Sequence, residues 1–400
     1  MKNIYKKIIL NDSGAFGAHT DDDSYYGSIA IYYRLASVVL GVLAALLVVI
    51  FLIVGYKELT YNNIHYFIKD FNSVIDSDLF DADVIEYGTG ENRKYYSYRG
   101  GVVASEKYAV SVYSATGKKT ATFNNEFLSP SVSVSSKYIL VYDSEGKSFS
   151  ICNSFAQLYS ETLDYPIYSA YINDLGEALI HSATAEYKSV LYHYDSAFDK
   201  IAAYYFTDYV VCSTISDGGN YIICVTMDAD QAKYTCRLEV YKRGEEKAHA
   251  QYVLNDCVPL KCEMLGNDCC LVTDKGCFVF NLNGKGYSEV LFDEKDRLLL
   301  CEGDQNGMAM VVDNSDTYYM VYVSSKGDNI KIELTALPID FDVSDDSIYV
   351  LYDGAVGEYE LQNKTYVQYT YECAPGANDI LSTAGGVYLC YGSRAVYFEY

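Results

Sequence analysis

From about residue 83 to the end of the chain, apolar and polar residues alternate in short runs, and the runs come in clusters. The clearest run of each cluster begins near Val102, Tyr138, Ala178, Tyr221, Cys269, Met308, Ile348 and Val387. The spacing is about 40 residues, the length that one four-stranded propeller blade takes. Each run has a partner across a short polar turn. Tyr138–Tyr142 is followed by Phe149–Cys152, and Met308–Val312 by Tyr318–Val323. Two period-two runs joined in this way predict a hairpin. The turns Thr116-Gly117-Lys118, Glu145-Gly146-Lys147 and Asn283-Gly284-Lys285 supply the glycine that left-handed turn positions favour. No helical pattern alternates with these strands, which argues against TIM barrels and Rossmann folds.

The last cluster holds an inner strand (Asp379–Ser382), a second (Val387–Tyr391) and a third (Arg394–Tyr400), but no fourth. A propeller whose last blade lacks its outer strand closes by borrowing one from the N-terminal side. Asp83–Tyr87, just ahead of the first full cluster, is the expected donor. Closure of this kind buries strand edges that otherwise template aggregation. The expectation is an all-β, eight-bladed propeller closed by an N-terminal strand. Seven blades is the alternative if the long 221–269 unit or the first unit is misread.

Upstream, Leu35–Tyr56 carries no charged residue and is flanked by Arg34 and Lys57. Its length, roughly 33 Å as a helix, suffices for a hydrocarbon core of roughly 30 Å. A cleaved signal peptide has a shorter apolar region, so a retained anchor is expected. Ile64, Phe67, Ile68, Phe71 and Ile75 recur at helical spacing behind a Thr60 N-cap, which predicts an amphipathic helix over 61–75. It packs under the propeller or lies on the membrane surface. The chain thus divides into a tail (1–34), a transmembrane helix (35–56), a juxtamembrane helix and connector (57–82) and the propeller (83–400). Ser37, Gly41 and Ala45 form a small-residue ladder through which two spans can pair as a homodimer.

Charge sharpens this picture. The chain carries a formal charge of −24. Residues 1–56 hold as many basic as acidic side chains, so the whole excess falls beyond them. A field of this sign disfavours nucleic acid, whose phosphates need clustered Lys and Arg, and suits a basic partner. It also serves simply to keep an exposed domain soluble.

Candidate chemistry is sparse. All 12 cysteines lie beyond residue 150. The adjacent pair Cys269-Cys270 and the wide Cys257/Cys262 spacing do not form the paired knuckles of a zinc site. Cys212, Cys224, Cys236, Cys262, Cys277 and Cys390 fall inside predicted strands, where an unpaired thiol packs as a small hydrophobe. One or two disulfides are the alternative. Tyr is abundant, at 44 residues, and Trp is absent. Strand filling accounts for most of the tyrosine, with some left to line a rim or channel. Among five histidines, His181 and His193 lie on one predicted hairpin near Asp195, the one compact acid–base grouping. No Ser or Cys nucleophile is placed beside it, so a satisfied polar cluster is expected rather than a hydrolase. Glu145-Gly146-Lys147-Ser148 ends like a P-loop but has Val141 where the motif needs glycine. Asp228–Asp230 and Asp340–Asp346 lack calcium-loop spacing. Asn363-Lys364-Thr365 is a glycosylation sequon of the kind that chance supplies. No catalytic, cofactor-binding or metal-binding residue is assigned, and no enzyme activity is expected.

The order of short tail, single span, a Tyr-Asn-Asn-Ile juxtamembrane segment and Tyr98-Arg99-Gly100-Gly101-Val102 leading into Tyr108–Tyr113 resembles one group of proteins. These are uncharacterised single-pass proteins with a quinoprotein-like propeller from Gram-positive anaerobic bacteria. The resemblance covers roughly residues 57–400 and rests on blade-forming patterns. It implies an eight-bladed propeller outside the cytoplasmic membrane with the tail inside, an orientation that Arg34 against Lys57 and Lys69 does not decide. It carries over no catalytic residue. The leading expectation is a membrane-anchored, non-enzymatic scaffold for an envelope protein or peptide. The rivals are a sensor holding a small sugar or peptide in the channel and a hydrolase using His181, His193 and Asp195.

Overall fold

A computed structural model describes residues 36–43, 45–46, 84–87 and 93–398, apart from 231–232, 316, 345–346, 363 and 384–385. The chain divides into two compact units, Met1–Phe67 and Ile68–Tyr400. In the first, residues 36–43 and 45–46 are helical, and Val38, Leu40, Val42 and Leu43 are exposed along them. No described helix is long and apolar enough to cross a membrane. The rest of the expected 35–56 span, the 1–34 tail and the 61–75 helix lie outside the described residues.

The second unit holds eight four-stranded antiparallel sheets. Seven follow chain order from the axis outwards: blades 1 to 7 cover 94–124, 130–162, 169–206, 209–255, 259–291, 297–333 and 340–372. Blade 8 takes Asp379–Ser382, Val387–Cys390 and Arg394–Phe398 from the end of the chain and Val84–Glu86 from its start. Val84 pairs with Val396, Ile85 with Ala395 and Glu86 with Arg394. The expected closing strand therefore forms, as the outer strand of the last blade.

The eight runs seen in the sequence are the second strands of the blades, from Gly101–Glu106 to Val387–Cys390. These strands lie inside their sheets and are covered on both faces. Ala178–Ser182 and Val387–Cys390 are buried at every position. The long 221–269 unit is not a misread blade. Tyr221–Asp230 and Lys233–Lys242 pair along their whole length, so blade 4 has an extended hairpin.

Eight hydrophobic clusters sit one at each junction between neighbouring blades. Between blades 6 and 7, for example, Val311, Met320 and Ile332 pack on Phe341, Ile348 and Val350. The cluster that decides the blade count joins the last blade to the first: Ile85, Tyr388 and Ala395 pack on Tyr95, Val102 and Ala104. A ring closed by eight such junctions has no open sheet face. Each fully buried aliphatic or aromatic side chain contributes about 1.5–3 kcal/mol.

Tyrosine does part of this work in a chain without tryptophan. Tyr98 donates its hydroxyl to Lys137 O of the next blade at 2.8 Å. Tyr388 reaches Ala115 O of blade 1 at 3.1 Å. Such a ring is buried while its hydroxyl finds a carbonyl, which ties adjacent blades without an unsatisfied polar group.

Candidate binding site on the propeller axis

The first strand of every blade forms the inner edge of its sheet, and these strands meet around the axis. Ser97 Oγ of blade 1 donates to Ser382 O of blade 8 at 3.2 Å, and Ile172 N of blade 3 to Ser133 Oγ of blade 2. In Asp340–Ser344 the alternation is strict: Phe341 and Val343 are buried in a blade junction, while Asp340, Asp342 and Ser344 keep partial solvent access.

The solvent-reached side of the inner strands carries acid over half the ring. Blade 5 supplies Glu263, blade 6 Glu302, blade 7 Asp340 and Asp342, and blade 8 Asp379. Lys261 answers two of them, with Nζ 3.0 Å from Glu263 and 3.3 Å from Glu302. The carboxylates outweigh the burial that opposes its charge, and its pKa rises. Among the described residues, no Lys or Arg forms an ion pair with Asp340, Asp342 or Asp379.

Backbone and hydroxyl donors hold these three in place. Asp342 Oδ2 accepts Ser382 N at 2.6 Å and Ser382 Oγ at 2.8 Å, and Asp340 Oδ2 accepts Ile380 N at 3.0 Å. Burial and crowding push the acids up. Glu263 rises to about 7, through burial first and the Glu302 charge second, against the pull of Lys261. Asp342 rises to about 6, chiefly by burial. Asp379 rises furthest, by burial, by its hydrogen bond to Asp340, and by the charges of Asp340, Asp342 and Glu302. Two carboxyls this close do not both ionise readily, so near neutral pH the pair holds one proton between them. A cation brought to this wall takes the place of that proton.

On the other side of the ring stand Tyr96 of blade 1 and Tyr171 of blade 3, whose hydroxyls burial pushes up to about 12. Exposed tyrosines also gather at one end of blade 3. Tyr187 and Tyr205 have ring centroids 5.1 Å apart, Tyr168 leans on His181, and the Lys188 ammonium lies over Tyr209.

The acid–base trio of the sequence does not converge, and the hydrolase built on it is withdrawn. His193 is fully buried, with Nε2 3.2 Å from Glu177, whose other oxygen binds Arg243 at 2.8 Å. His181 lies on the same face but two register positions away, also buried, beside Ser169. Asp195 caps a turn through the N–H groups of Ala197 and Asp199. The described residues do not gather three or more His, Cys, Asp or Glu in a way that could hold a metal ion. Cys212, Cys301 and Cys373 are half-buried and the other cysteines buried, each with a free thiol. The acidic wall was missed in the sequence because its five members come from four blades. The alternation of Asp340, Asp342 and Ser344 with Phe341 and Val343 was the available signal.

A family match runs over residues 82–386, from just before the closing strand into the last blade. The chain belongs to DUF5711, a family of unknown function. This DUF5711 propeller is similar in fold to BamB from Moraxella catarrhalis, with a TM-score of 0.51 at 10% identity over 80% of this chain and 99% of the other. It is likewise similar to apo AztD from Citrobacter koseri, with a TM-score of 0.52 at 13% identity over 72% and 87% of the two chains. At these identities the likeness is one of fold. No curated protein matches the sequence.

Proposed function

We propose that the chain is a membrane-anchored, non-enzymatic binding scaffold. Its propeller stands on the extracytoplasmic side and takes a basic segment of an envelope protein or peptide on its axis. The observation that carries the reading is the half-ring of Glu263, Glu302, Asp340, Asp342 and Asp379, with which Lys261 alone among the described residues forms ion pairs. A rigid propeller holds such groups at fixed spacing, and a guanidinium or ammonium entering between them gains charge-assisted hydrogen bonds in a partly desolvated place. The tyrosine cluster on blade 3 adds flat faces on which an arginine side chain can lie. Anchoring is supported by the uncharged 35–56 segment and by the exposed apolar side chains of the 36–43 helix.

The test is calorimetric titration of the detergent-solubilised full chain with an arginine-rich peptide. Overall acidity is controlled by an exposed double variant, Glu246→Gln/Glu294→Gln. At pH 8 the wild type and this control bind alike, and Asp340→Asn/Asp379→Asn binds at least about 10-fold more weakly, a loss of about 1.4 kcal/mol or more. Because the incoming cation displaces the shared proton, wild-type affinity rises more steeply from pH 6 to pH 9 than that of the Asn variant, which keeps only the titrations of Asp342 and Glu263. Equal affinity in the two double variants contradicts an axial site.

A further inference from the structure

Blade 5 places two sulfurs in contact across one hairpin. Cys270 lies on Asp268–Thr273 opposite Val279, and Cys277 lies on Gly276–Asn281 opposite Val272, a diagonal pair two register positions apart. Their Sγ atoms are 2.9 Å apart. This is closer than two unbonded sulfurs rest, and less than about 1 Å beyond the bond length of about 2.05 Å. We propose that Cys270 and Cys277 are the site of a cross-strand disulfide, closed while blade 5 folds in an oxidising compartment. The proposal rests on the extracytoplasmic placement given above for its setting, although the geometry belongs to the hairpin alone.

The hairpin forms locally. Its turn is fixed by Thr273 Oγ1, which donates to Gly276 O at 3.0 Å and accepts Lys275 N at 3.1 Å. At Gly276, with φ of +147°, a side chain would meet Val290 O of the next strand. The two thiols therefore come together before neighbouring blades cover them. In the finished propeller both are fully buried, between blades 5 and 6. There the hydrogen bond to Cys277, together with burial, holds the Cys270 thiol well above its usual range. A thiol in that state is a poor nucleophile and out of reach, so the bond must close early.

The chemistry is thiol–disulfide exchange with a small or protein disulfide as oxidant. The thiolate of one cysteine attacks a sulfur of the oxidant and expels one thiol, which takes up a proton. The second cysteine, as thiolate, attacks the mixed disulfide at the first cysteine's sulfur and expels the other thiol. Two protein thiols lose two electrons and two protons, and one oxidant disulfide becomes two thiols. Cys262 and Cys269 are also close, at 3.3 Å, across the preceding turn, but their sulfurs are farther apart.

The experiment refolds the full chain in detergent with oxidised and reduced glutathione, quenches in acid, and blocks free thiols with N-ethylmaleimide. Trypsin then cuts at Lys275, between the two residues, so residues 262–275 and 276–285 stay together only through a disulfide. The expected result is a linked pair of peptides lighter by two hydrogens than the sum of the free ones. The link is retained in Cys269→Ser and absent in Cys270→Ser. Recovery of Cys277 as a separate alkylated peptide overturns the proposal, as does a link that survives Cys270→Ser. Wild-type mapping answers the question even if a variant fails to fold. An unlinked hairpin leaves the axial peptide site untouched, and a failed peptide titration leaves the disulfide untouched.

Discussion

Ile85→Ala destabilises the propeller by about 3 kcal/mol, whereas Val84→Ala, its neighbour on the same strand, costs less than about 0.5 kcal/mol. Both residues lie in a strand only three residues long, more than three hundred residues in sequence from the strand it pairs with. Ile85 is fully buried against Tyr95, Val102 and Tyr388 in the junction that closes the ring, while Val84 is 42% exposed. Neighbouring contacts clamp the same strand. Tyr87 donates its hydroxyl to Tyr391 O at 2.8 Å and its N–H to Ser393 O at 3.2 Å. The Arg93 guanidinium lies 4.7 Å from the centre of the Tyr87 ring and pairs with Glu106. Loss of this strand exposes the outer edge of Arg394–Phe398, an unpaired row of backbone groups that invites edge-to-edge association. Urea titration followed by circular dichroism measures the difference. Equal costs at the two positions mean that the strand does not close blade 8.

Asp379→Asn raises stability at pH 8 by about 2 kcal/mol and flattens its dependence on pH. The sign follows from proton linkage. Asp379 is pushed up by burial and then by Asp340, Asp342 to about 6, and Glu263 to about 7. Their unfolded counterparts titrate near 4. Between those values the folded protein binds more protons than the unfolded one, so stability falls as pH rises. The contribution is fully present below about pH 4 and is lost as pH climbs through about 6 to 7 for Asp342 and Glu263, and higher for Asp379. Solvent reaches this wall, which reduces the effect to about 2 kcal/mol for Asp379 and less for the others. Replacing Asp379 by Asn keeps a hydrogen-bond donor toward Asp340 and removes the titration. Parallel stability profiles for wild type and Asp379→Asn from pH 5 to pH 9 would show that the two acids do not meet.

The blades were legible because their second strands are covered on both faces and read as dense apolar runs, such as Met308–Val312 and Cys269–Val272. The outer strands were not. Lys119–Asn124 and Thr365–Glu372 have little buried on either face, so their composition does not separate them from loops. The borrowed strand could be foreseen because blade 8 was short of one. Its length could not, since only the register with Arg394–Phe398 sets it. Among candidate sites, His181, His193 and Asp195 were grouped because one hairpin carries them. Glu177, at the entry to that hairpin, instead pairs with the buried His193, and the exposed Arg243 of the next blade binds its other oxygen. Chemistry assembled from several blades, like the acidic wall, depends on the angle between blades, which no local pattern encodes.

Which side of the membrane holds the propeller decides which partners can reach it, and labelling of intact cells reads this directly. Asn283 is exposed at the turn between two strands of blade 5, so Asn283→Cys offers a reactive thiol there, in a background where the half-buried Cys212, Cys301 and Cys373 are replaced by serine. A membrane-impermeant maleimide should modify this position in intact cells, and a cysteine placed in the 1–34 tail only after lysis. Labelling of the tail in intact cells, with Asn283→Cys protected until lysis, contradicts an extracytoplasmic scaffold and moves the basic partner to the cytosol.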